Sequence, residues 1–239
     1  MKKKKIAYRR VFQLDEIDTE LKARLTAQCE RIHLNNFFKS DNFYQLILDR
    51  GPGTTLALFY NREHEAVGFI VHNIDLIPFG RGKARVMNAG VHFDTQYNAG
   101  YTATKYGLTL GLKTKLKNPL TPLFYVATAS SPVPYHLFVR TANTFYPNPY
   151  TPTPKKIRNL LTTTAKHRKL ELVDMENGVI RYPGDFKLRR QEKLVRGERF
   201  SHPIWQHYLK LNPNFDQSQE LLLALPLTVS NSIRSLLRV

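Results

Sequence analysis

Hydrophobic positions along the chain switch between the two-residue period of a strand and the longer period of a helix. Runs rich in β-branched and aromatic residues predict strands at "AYRRVFQL", "TTLALFY", "AVGFIVHNIDLI", "KARVMNAGVHF" and "LFYVATAS". The charged turn "NREHE" separates the second run from the third, and this spacing is typical of an antiparallel hairpin. The chain therefore alternates strands with other elements in a regular order.

Helical spacing fills the intervals between these strands. The segment "DTELKARLTAQCERIHL" predicts a first helix capped by Asp15 or Asp18, and "SDNFYQLILDRG" predicts a second helix capped by Ser40 or Asp41. A third helix follows the fourth strand and ends near Asn118, before a proline. A fourth begins with the prolines of "PVPYHLFVRTANTF", which the first turn of a helix tolerates. This order predicts an α/β fold with a mixed sheet.

A proline-dense stretch, "YPNPYTPTP", interrupts the pattern at residues 146 to 154. Repeated prolines continue neither a helix nor a central strand, so we expect a structural boundary there. We assign residues 1 to 150 to one domain and residues 151 to 239 to an extension that packs on it. Within the extension, "NGVIRYPGDF" predicts a turn and a short strand, whereas the other segments, "QSQELLLALPLTVSNSIRSLLRV" included, predict a mainly helical structure.

Composition excludes several classes of protein. Hydrophobic residues make up 42% of the 239 positions, which is enough to bury a sizeable core and excludes a wholly disordered chain. The single cysteine, Cys29, excludes an internal disulfide framework and a cysteine pair for structural zinc, and we expect no metal. The basic start "MKKKKIAYRR" lacks the apolar stretch of a signal peptide, and no run is long enough for a membrane span. We therefore expect a cytoplasmic protein.

The net charge of +17 favours anionic partners, among them nucleic acid, phosphorylated cofactors, anionic membranes and acidic proteins. This charge is spread over both halves of the chain, which argues against a separate nucleic-acid-binding arm. The basic run "KLRRQEKLVRGERF" is a candidate for contact with nucleic acid or an anionic membrane. Because Glu192 and Glu198 interrupt it, a solvated helical face accounts for it better.

The stretch "VHFDTQYNAGYTATK" is a candidate for anion binding, because a strand passes there into a helix through small polar residues. The first N–H groups of a helix have no partner within it, and its dipole attracts negative charge, so phosphate groups bind at such positions. A turn with one glycine, Gly100, is also common for purely structural reasons. The local pattern leaves both interpretations open.

The element order and this loop together resemble the GCN5-related N-acetyltransferase (GNAT) superfamily, over roughly residues 8 to 147. In that family a loop of the pattern Gln/Arg-x-x-Gly-x-Gly/Ala follows the fourth strand and binds the pyrophosphate of acetyl-CoA. The segments "EAVGFIV" and "LFYVATASSPVPYHLFVRT" resemble the family's third strand and its fifth strand with the following helix. The resemblance implies a mixed, mostly antiparallel sheet flanked by helices, and acetyl-CoA or another acyl-CoA as co-substrate.

The resemblance also implies where the donor binds. The family's fourth and fifth strands splay apart and hold the acyl-pantetheine arm between them, beside His92 and Ser130 of this chain. The loop departs from the pattern, since Tyr97 stands where Gln or Arg is usual and Thr102 replaces the second glycine or alanine. The implied cofactor-binding residues are Val91, Phe93, Gln96, Tyr97, Asn98, Ala99, Gly100, Tyr101, Thr102 and Ser131.

Direct acylation of an amine needs a base for the amine and an acid for the leaving thiolate. The family's usual acid is a tyrosine in the helix after the fifth strand, but Phe138 takes that position here and has no proton to donate. Tyr135, about one turn earlier, is the alternative acid, and His92 or Asp94 is the candidate base. For each of these residues, ordinary packing or surface exposure is the competing interpretation. Cys29, within an amphipathic helix, is interpreted as a buried unreactive thiol.

Two functions follow. The first is an acyl-CoA-dependent N-acyltransferase that transfers an acetyl or longer acyl group to an amine by direct attack, with CoA or an acidic acyl carrier protein as the donor. The second is a catalytically degenerate GNAT fold that binds nucleic acid, an anionic membrane or a protein partner. Phe138 and the irregular loop favour the second, whereas the strand order and the anion-binding loop favour the first. We take the acyltransferase as the working hypothesis.

Overall fold

Eight strands form one mixed sheet in the order β1-β2-β3-β4-β5-β8-β7-β6. The structure, a computed structural model, describes residues 4–37, 42–97, 99–181, 201–228 and 231. Of the neighbouring strands named here, only β4 and β5 run parallel. The strands are β1 (Tyr8–Gln13), β2 (Thr55–Tyr60), β3 (Ala66–Phe79), β4 (Gly82–Phe93), β5 (Leu123–Ala129), β6 (Glu171–Asp174), β7 (Val179–Arg181) and β8 (Gln219–Pro226).

Five α-helices flank the sheet in the described part of the chain. They are α1 (Thr19–His33), α2 (Ala99–Lys117), α3 (Pro132–Thr141), α4 (Lys155–His167) and α5 (Pro203–Leu211). A short π-helical turn covers Tyr44–Leu48, and a 3-10 turn covers Phe215–Gln217. Asp18 caps α1, because its Oδ1 accepts a hydrogen bond of 2.7 Å from the backbone N–H of Leu21.

Side chains alternate along each strand, so the sheet has two faces, and a different set of helices covers each face. On the face that carries Val71, Val86 and Val126, which we call the front face, α1 and α4 complete the core. On the back face, which carries Ile70 and Met87, the covering helices are α2, α3 and α5. Both faces of the central strands are therefore buried.

The predicted fold class, a mixed and mostly antiparallel sheet flanked by helices, is confirmed. The five strands predicted from the N-terminal pattern are present, and the "NREHE" turn joins β2 to β3 as an antiparallel hairpin. The second predicted helix is reduced to the π-helical turn at Tyr44–Leu48. Its predicted caps, Ser40 and Asp41, lie outside the described residues, as do the basic run at residues 187 to 200 and Asn98.

The prediction of helix over residues 219 to 226 was wrong, because these residues form β8. Leu221, Leu223 and Leu225 pack on the back face, while Leu222 and Ala224 pack on the front face. A strand buried on both faces has no polar alternation, so its apolar run looks like that of a buried helix.

The proline-dense segment at residues 146 to 154 is tied to the sheet. Tyr146 and Ala224 exchange backbone hydrogen bonds of 2.9 Å and 2.7 Å. Strands from before and after this segment pair with each other, since β5 lies against β8. The domain boundary at residue 150 stays a prediction.

Candidate functional site

The parallel strands β4 and β5 separate partway along their length. Their pairing covers Arg85 to Asn88 on β4 and Leu123 to Val126 on β5. Beyond Asn88, β4 continues against β3 as far as Phe93, whereas β5 continues against β8 as far as Ala129. The splay that the resemblance implies is therefore present.

A cavity of about 450 Å³ fills this opening. Its back-face part lies between α2 and α3, where small residues of α2 leave space beside the strands. Apolar side chains form most of the wall there. The wall residues from β4, α2 and α3 include Ala89, Val91, Gly100, Ala103, Gly107, Pro134, Leu137 and Phe138.

The same cavity also has walls on the front face of the sheet. Four of its front-face residues are His33 at the end of α1, Phe37 and Arg50 in the segment between α1 and β2, and Glu220 at the start of β8. Residues of both faces of the sheet therefore line one cavity at the gap between β4 and β5, and we call this cavity the channel.

Arg50 is held in place at the front end of the channel. One Nη donates a hydrogen bond of 2.6 Å to Oδ1 of Asn88, and the Arg50 backbone carbonyl accepts a 2.6 Å hydrogen bond from Nδ2 of Asn73. The other Nη lies against Gly90, where an added Cβ would stand 2.5 Å from it. Gly90 thus provides the space that the guanidinium occupies.

Arg50 forms no ion pair with any carboxylate in the described part of the chain. Its Nε is buried without a hydrogen-bond partner. A buried cation with an unsatisfied donor is costly unless a ligand or solvent compensates it. Arg50 therefore marks a position suited to an anionic group.

Glu220 is the acidic residue of the same channel. It lies at the start of β8, is half-buried, and accepts a hydrogen bond from the side chain of Thr128. Burial raises the pKa of this carboxyl above its ordinary value, while the Thr128 hydrogen bond and the charge of Arg50 act in the opposite direction. Glu220 is thus a better proton acceptor than an ordinary surface carboxylate.

His92 lines the channel in an aromatic environment. Its ring stacks on Phe69 with centroids 4.6 Å apart, and its Nδ1 lies 3.4 Å from Nδ1 of His33. Burial lowers the pKa of His92 well below its ordinary value, with smaller contributions from His33 and Arg50, and burial lowers the pKa of His33 to about 4. Both imidazoles are therefore neutral near pH 7.

A third buried histidine lies on the back face. Nε2 of His72 is 2.8 Å from the hydroxyl of Tyr106, and both residues line the cavity. Burial, followed by the charge of Arg50, lowers the pKa of His72 to about 4. The channel therefore contains neutral imidazoles on both faces of the sheet.

The structure brings some of the predicted donor residues to the channel and not others. Val91, His92 and Gly100 line it. Phe93 lies in the core instead, packed against Phe59 with ring centroids 5.1 Å apart. Ser131 is buried as the residue before α3, whereas its neighbour Ser130 lines the channel.

The predicted phosphate loop is only partly oriented toward the channel. Gln96 is exposed and its backbone carbonyl accepts a 2.8 Å hydrogen bond from the N–H of Lys4. Tyr97 is buried, and its hydroxyl accepts a 3.3 Å hydrogen bond from Nδ2 of Asn61, away from the cavity wall. Ala99 begins α2, which includes Tyr101 and the half-buried Thr102.

Gly100, in the first turn of α2, is therefore the predicted loop residue that reaches the channel. It is exposed, and an added Cβ would meet no atom within 4 Å. There is therefore open space beside the first turn of α2, near the N–H groups that bind anions at the start of a helix.

Of the predicted catalytic residues, His92 is the one that lines the channel. Tyr135 is fully buried beside Phe145, and its hydroxyl donates a 3.3 Å hydrogen bond to the carbonyl of Pro147. Asp94 is half-buried and accepts a hydrogen bond from Nδ2 of Asn35. Phe138 does line the channel, so the residue aligned with the family's tyrosine faces the expected space.

The sequence did not indicate Arg50 or Glu220 as site residues. The sequence pattern places Arg50 at the end of the second predicted helix and Glu220 at the start of an apolar helical segment. The available signal was a single charged residue at the edge of a strongly apolar run, in each case. Such a charge is costly to bury and is often functional.

Within the described ranges, no group of three or more histidine, cysteine or acidic residues is arranged to hold a metal ion. No helix of those ranges is long and apolar enough to span a membrane. Cys29 is buried, as predicted, and burial raises the pKa of its thiol far above the ordinary value. It is not accessible as a nucleophile.

No protein-family profile matches this chain, and no curated protein matches it in sequence. Among solved structures, a conserved Enterococcus faecalis V583 protein of unknown function, described as a probable N-acyltransferase, aligns with a TM-score of 0.38 and 13% identity. The alignment covers 57% of this chain but only 33% of the Enterococcus chain. Escherichia coli ElaA aligns with a TM-score of 0.35 and 15% identity, over 60% of this chain and 93% of ElaA.

Proposed function

We propose that this protein is an acyl-CoA-dependent N-acyltransferase with a GNAT-like arrangement of donor and acceptor. The observation that carries the proposal is the channel between the diverging strands β4 and β5, which opens beside the start of α2. A thioester placed in the gap would be within reach of an acceptor from the other face. This is the geometry that direct attack on an acyl donor requires.

The donor fits the back-face part of the channel. The first N–H groups of α2 and the space in front of Gly100 suit the pyrophosphate of CoA, and the first turn of α2 contains no acidic residue to repel it. The apolar walls between α2 and α3 suit the pantetheine arm and the acyl group. Beyond Asn88, the edge of β4 is not paired with β5, so its backbone groups other than the Phe93 carbonyl, which Asn36 holds, are available to hydrogen-bond the arm.

The acceptor amine must lose a proton before it attacks. His92 was predicted as the base and lines the channel, but its strongly lowered pKa makes it a weak proton acceptor. Glu220, whose pKa burial raises, is the stronger candidate in the same space. The low-dielectric surroundings of the channel strengthen its interaction with an approaching ammonium group.

Calorimetric titration of the full chain with acetyl-CoA, hexanoyl-CoA and palmitoyl-CoA tests donor binding. We expect Gly100→Glu to weaken binding by roughly tenfold or more, because it places bulk and negative charge at the start of α2. Gly100→Ala is the matched control, since an added Cβ has open space there, and it should bind like the parent protein.

Two results would contradict the proposal. The first is the absence of binding to all three acyl-CoA compounds. The second is equal binding by the Gly100→Glu and Gly100→Ala variants, which would remove the start of α2 from the donor site. Tight, strongly salt-dependent binding to DNA, RNA or anionic vesicles without acyl-CoA binding would instead favour the degenerate binding module.

A further inference from the structure

Two opposite charges line the front end of the channel without pairing with each other. Arg50 lies beside Asn88 on the β4 side, and Glu220 lies beside Thr128 on the β5 side. Neither forms an ion pair with any described residue. The charge of Arg50 nevertheless lowers the pKa of Glu220, which means that the two groups share one electrostatic environment.

Each charge is fixed in position by neutral partners. The side chain of Asn88 accepts a hydrogen bond from one Nη of Arg50, and the second Nη occupies the space that the missing side chain of Gly90 leaves. The Nε of Arg50 has no hydrogen-bond partner. Thr128 donates to the carboxylate of Glu220. Preorganised groups of this kind recognise a ligand with little loss of side-chain entropy.

A ligand with one negative and one positive group compensates both charges at once. A simple amine would leave Arg50 unbalanced, whereas a dianion would be repelled by Glu220, so each of these ligands leaves an uncompensated charge in a partly desolvated site. A carboxylate matches the guanidinium of Arg50, and an ammonium group matches the carboxylate of Glu220. The front-end walls also include Phe37 and Ile47, so part of the surface beside the two charges is apolar.

On the basis of the proposed acyltransferase function, we propose that the acceptor is an amino acid or a similar small zwitterion. Its carboxylate binds Arg50, and its amine lies between Glu220 and the thioester. Arg50 is then the residue that determines acceptor specificity, and Glu220 is the catalytic base.

The reaction is balanced with these two residues. The acceptor enters as an ammonium ion and gives one proton to Glu220, which later releases it to water. The nitrogen lone pair attacks the thioester carbonyl carbon, so a C–N bond forms as the C–S bond breaks and sulfur leaves with the bonding electrons. The second nitrogen proton passes to that thiolate, giving the amide and CoA thiol.

The test compares acceptors that differ only in the carboxylate. Initial rates of CoA thiol release from saturating acetyl-CoA are measured for the twenty common amino acids and for their carboxamides, and the products are identified by mass spectrometry. The amides have the lower amine pKa and hence more free amine near pH 7, so chemistry alone favours them. A preference for at least one free acid, by roughly tenfold or more in kcat/KM, is expected if a charged hydrogen bond to Arg50 holds the carboxylate.

Variants separate the two roles. Arg50→Gln should remove the preference for the acid over its amide, so that the ratio of the two kcat/KM values falls to the one that the free-amine fractions set, and Arg50→Lys should retain part of the preference. Glu220→Gln should lower kcat by roughly 100-fold with the acid and remove the acidic limb of the pH–rate profile. Thermal unfolding and acetyl-CoA titration of each variant show that folding and donor binding are intact.

The outcomes distinguish this inference from the proposed function. Parent protein that binds acetyl-CoA but prefers carboxamides, or acylates none of the free acids, overturns the inference and leaves the acyltransferase proposal standing. An acid preference that survives Arg50→Gln also overturns it. Parent protein that binds no acyl-CoA overturns both.

Discussion

At the scale of single residues, the channel depends on side chains that are small or absent. Gly90 admits the guanidinium of Arg50, and Gly68 admits the ring of Phe93, which would otherwise meet an added Cβ at 2.0 Å. The first contact helps to place a charge in the channel, and the second draws Phe93 into the core beside Phe59. Sequence alone identifies such glycines in a strand but not the side chain that uses the space.

The sequence predicts Tyr135 as the general acid, and replacing this tyrosine tests that prediction. Its hydroxyl is bonded to the carbonyl of Pro147 within the core, so Tyr135→Phe should lose one buried hydrogen bond, at a cost of about 0.5–1.5 kcal/mol of unfolding free energy. Its kcat should remain within about twofold of the parent value, because the hydroxyl does not face the channel. Urea unfolding and steady-state rates measure the two effects.

The matched control for that change is Tyr208→Phe. Tyr208 is equally buried in the same cluster, and its hydroxyl donates a 2.9 Å hydrogen bond to the carbonyl of Ala129. Both variants should lose stability while keeping turnover. A large fall in kcat for Tyr135→Phe, with none for Tyr208→Phe, would show that Tyr135 acts as the acid after all.

At the scale of elements, the sequence predicted what local pattern determines. The strands β2 and β3 were predictable because β-branched runs flank a charged turn, and α1 because Asp18 precedes a periodic apolar face. The strand β8 was not, because it is buried on both faces and carries no polar alternation. Local spacing cannot tell such a strand from a helix, since its neighbours come from distant parts of the chain.

The same distinction applies to the candidate site. Val91, His92 and Gly100 were predictable because they lie on either side of one strand-to-helix turn. Arg50 and Glu220 were not, since they lie 170 positions apart in sequence and meet only because β8 inserts beside β5. The resemblance, which ended near residue 147, could not include Glu220.

A fragment of residues 1 to 150 tests the predicted domain boundary. Without β8, the edge of β5 from Phe124 to Ala129 loses its antiparallel partner, and the cluster around Tyr135 loses three leucines of β8. We expect this fragment to aggregate, because an unpaired apolar edge strand pairs readily with other chains. Size-exclusion chromatography and circular dichroism measure this outcome.

Co-expression with residues 151 to 239 is the control for the fragment. If β8 is required for the core, the second fragment should restore a soluble heterodimer that contains both pieces. A soluble monomer of residues 1 to 150 with cooperative thermal unfolding would instead support a boundary at residue 150. In that case β8 would be an addition to a domain that folds alone.

At the scale of the whole molecule, excess positive charge surrounds a channel whose histidines stay neutral. The net charge of +17 favours the approach of anionic ligands, the proposed acyl-CoA donor among them, and this long-range attraction weakens as salt is added. Inside the channel, burial keeps His33, His72 and His92 uncharged. Adding protons to these imidazoles would place new positive charge near Arg50, which forms no ion pair with a described residue.

The histidines make stability depend on pH in a defined direction. The pKa of both His33 and His72 is about 4 in the folded protein, and burial holds the pKa of His92 well below its ordinary value, whereas an unfolded histidine has a pKa of about 6.5. Between about pH 6.5 and pH 4 the unfolded chain therefore binds more protons than the folded protein. The unfolding free energy should fall through that window, by up to about 1.4 kcal/mol per pH unit for each histidine.

The raised pKa of Glu220 has the opposite effect on the unfolding free energy in part of this window. The effect of this one carboxyl is smaller than the combined effect of the three histidines.

Urea unfolding followed by the fluorescence of Trp205 at several pH values measures the slope. His72→Gln keeps a hydrogen-bonding group near Tyr106 but removes one titrating ring, so it should flatten the slope, and the same change at His64, exposed in the β2–β3 turn, controls for the substitution itself. An unfolding free energy that stays constant from pH 7 to pH 4 would show that these histidines are protonated in the folded protein, and the channel would then carry far more positive charge than its structure indicates.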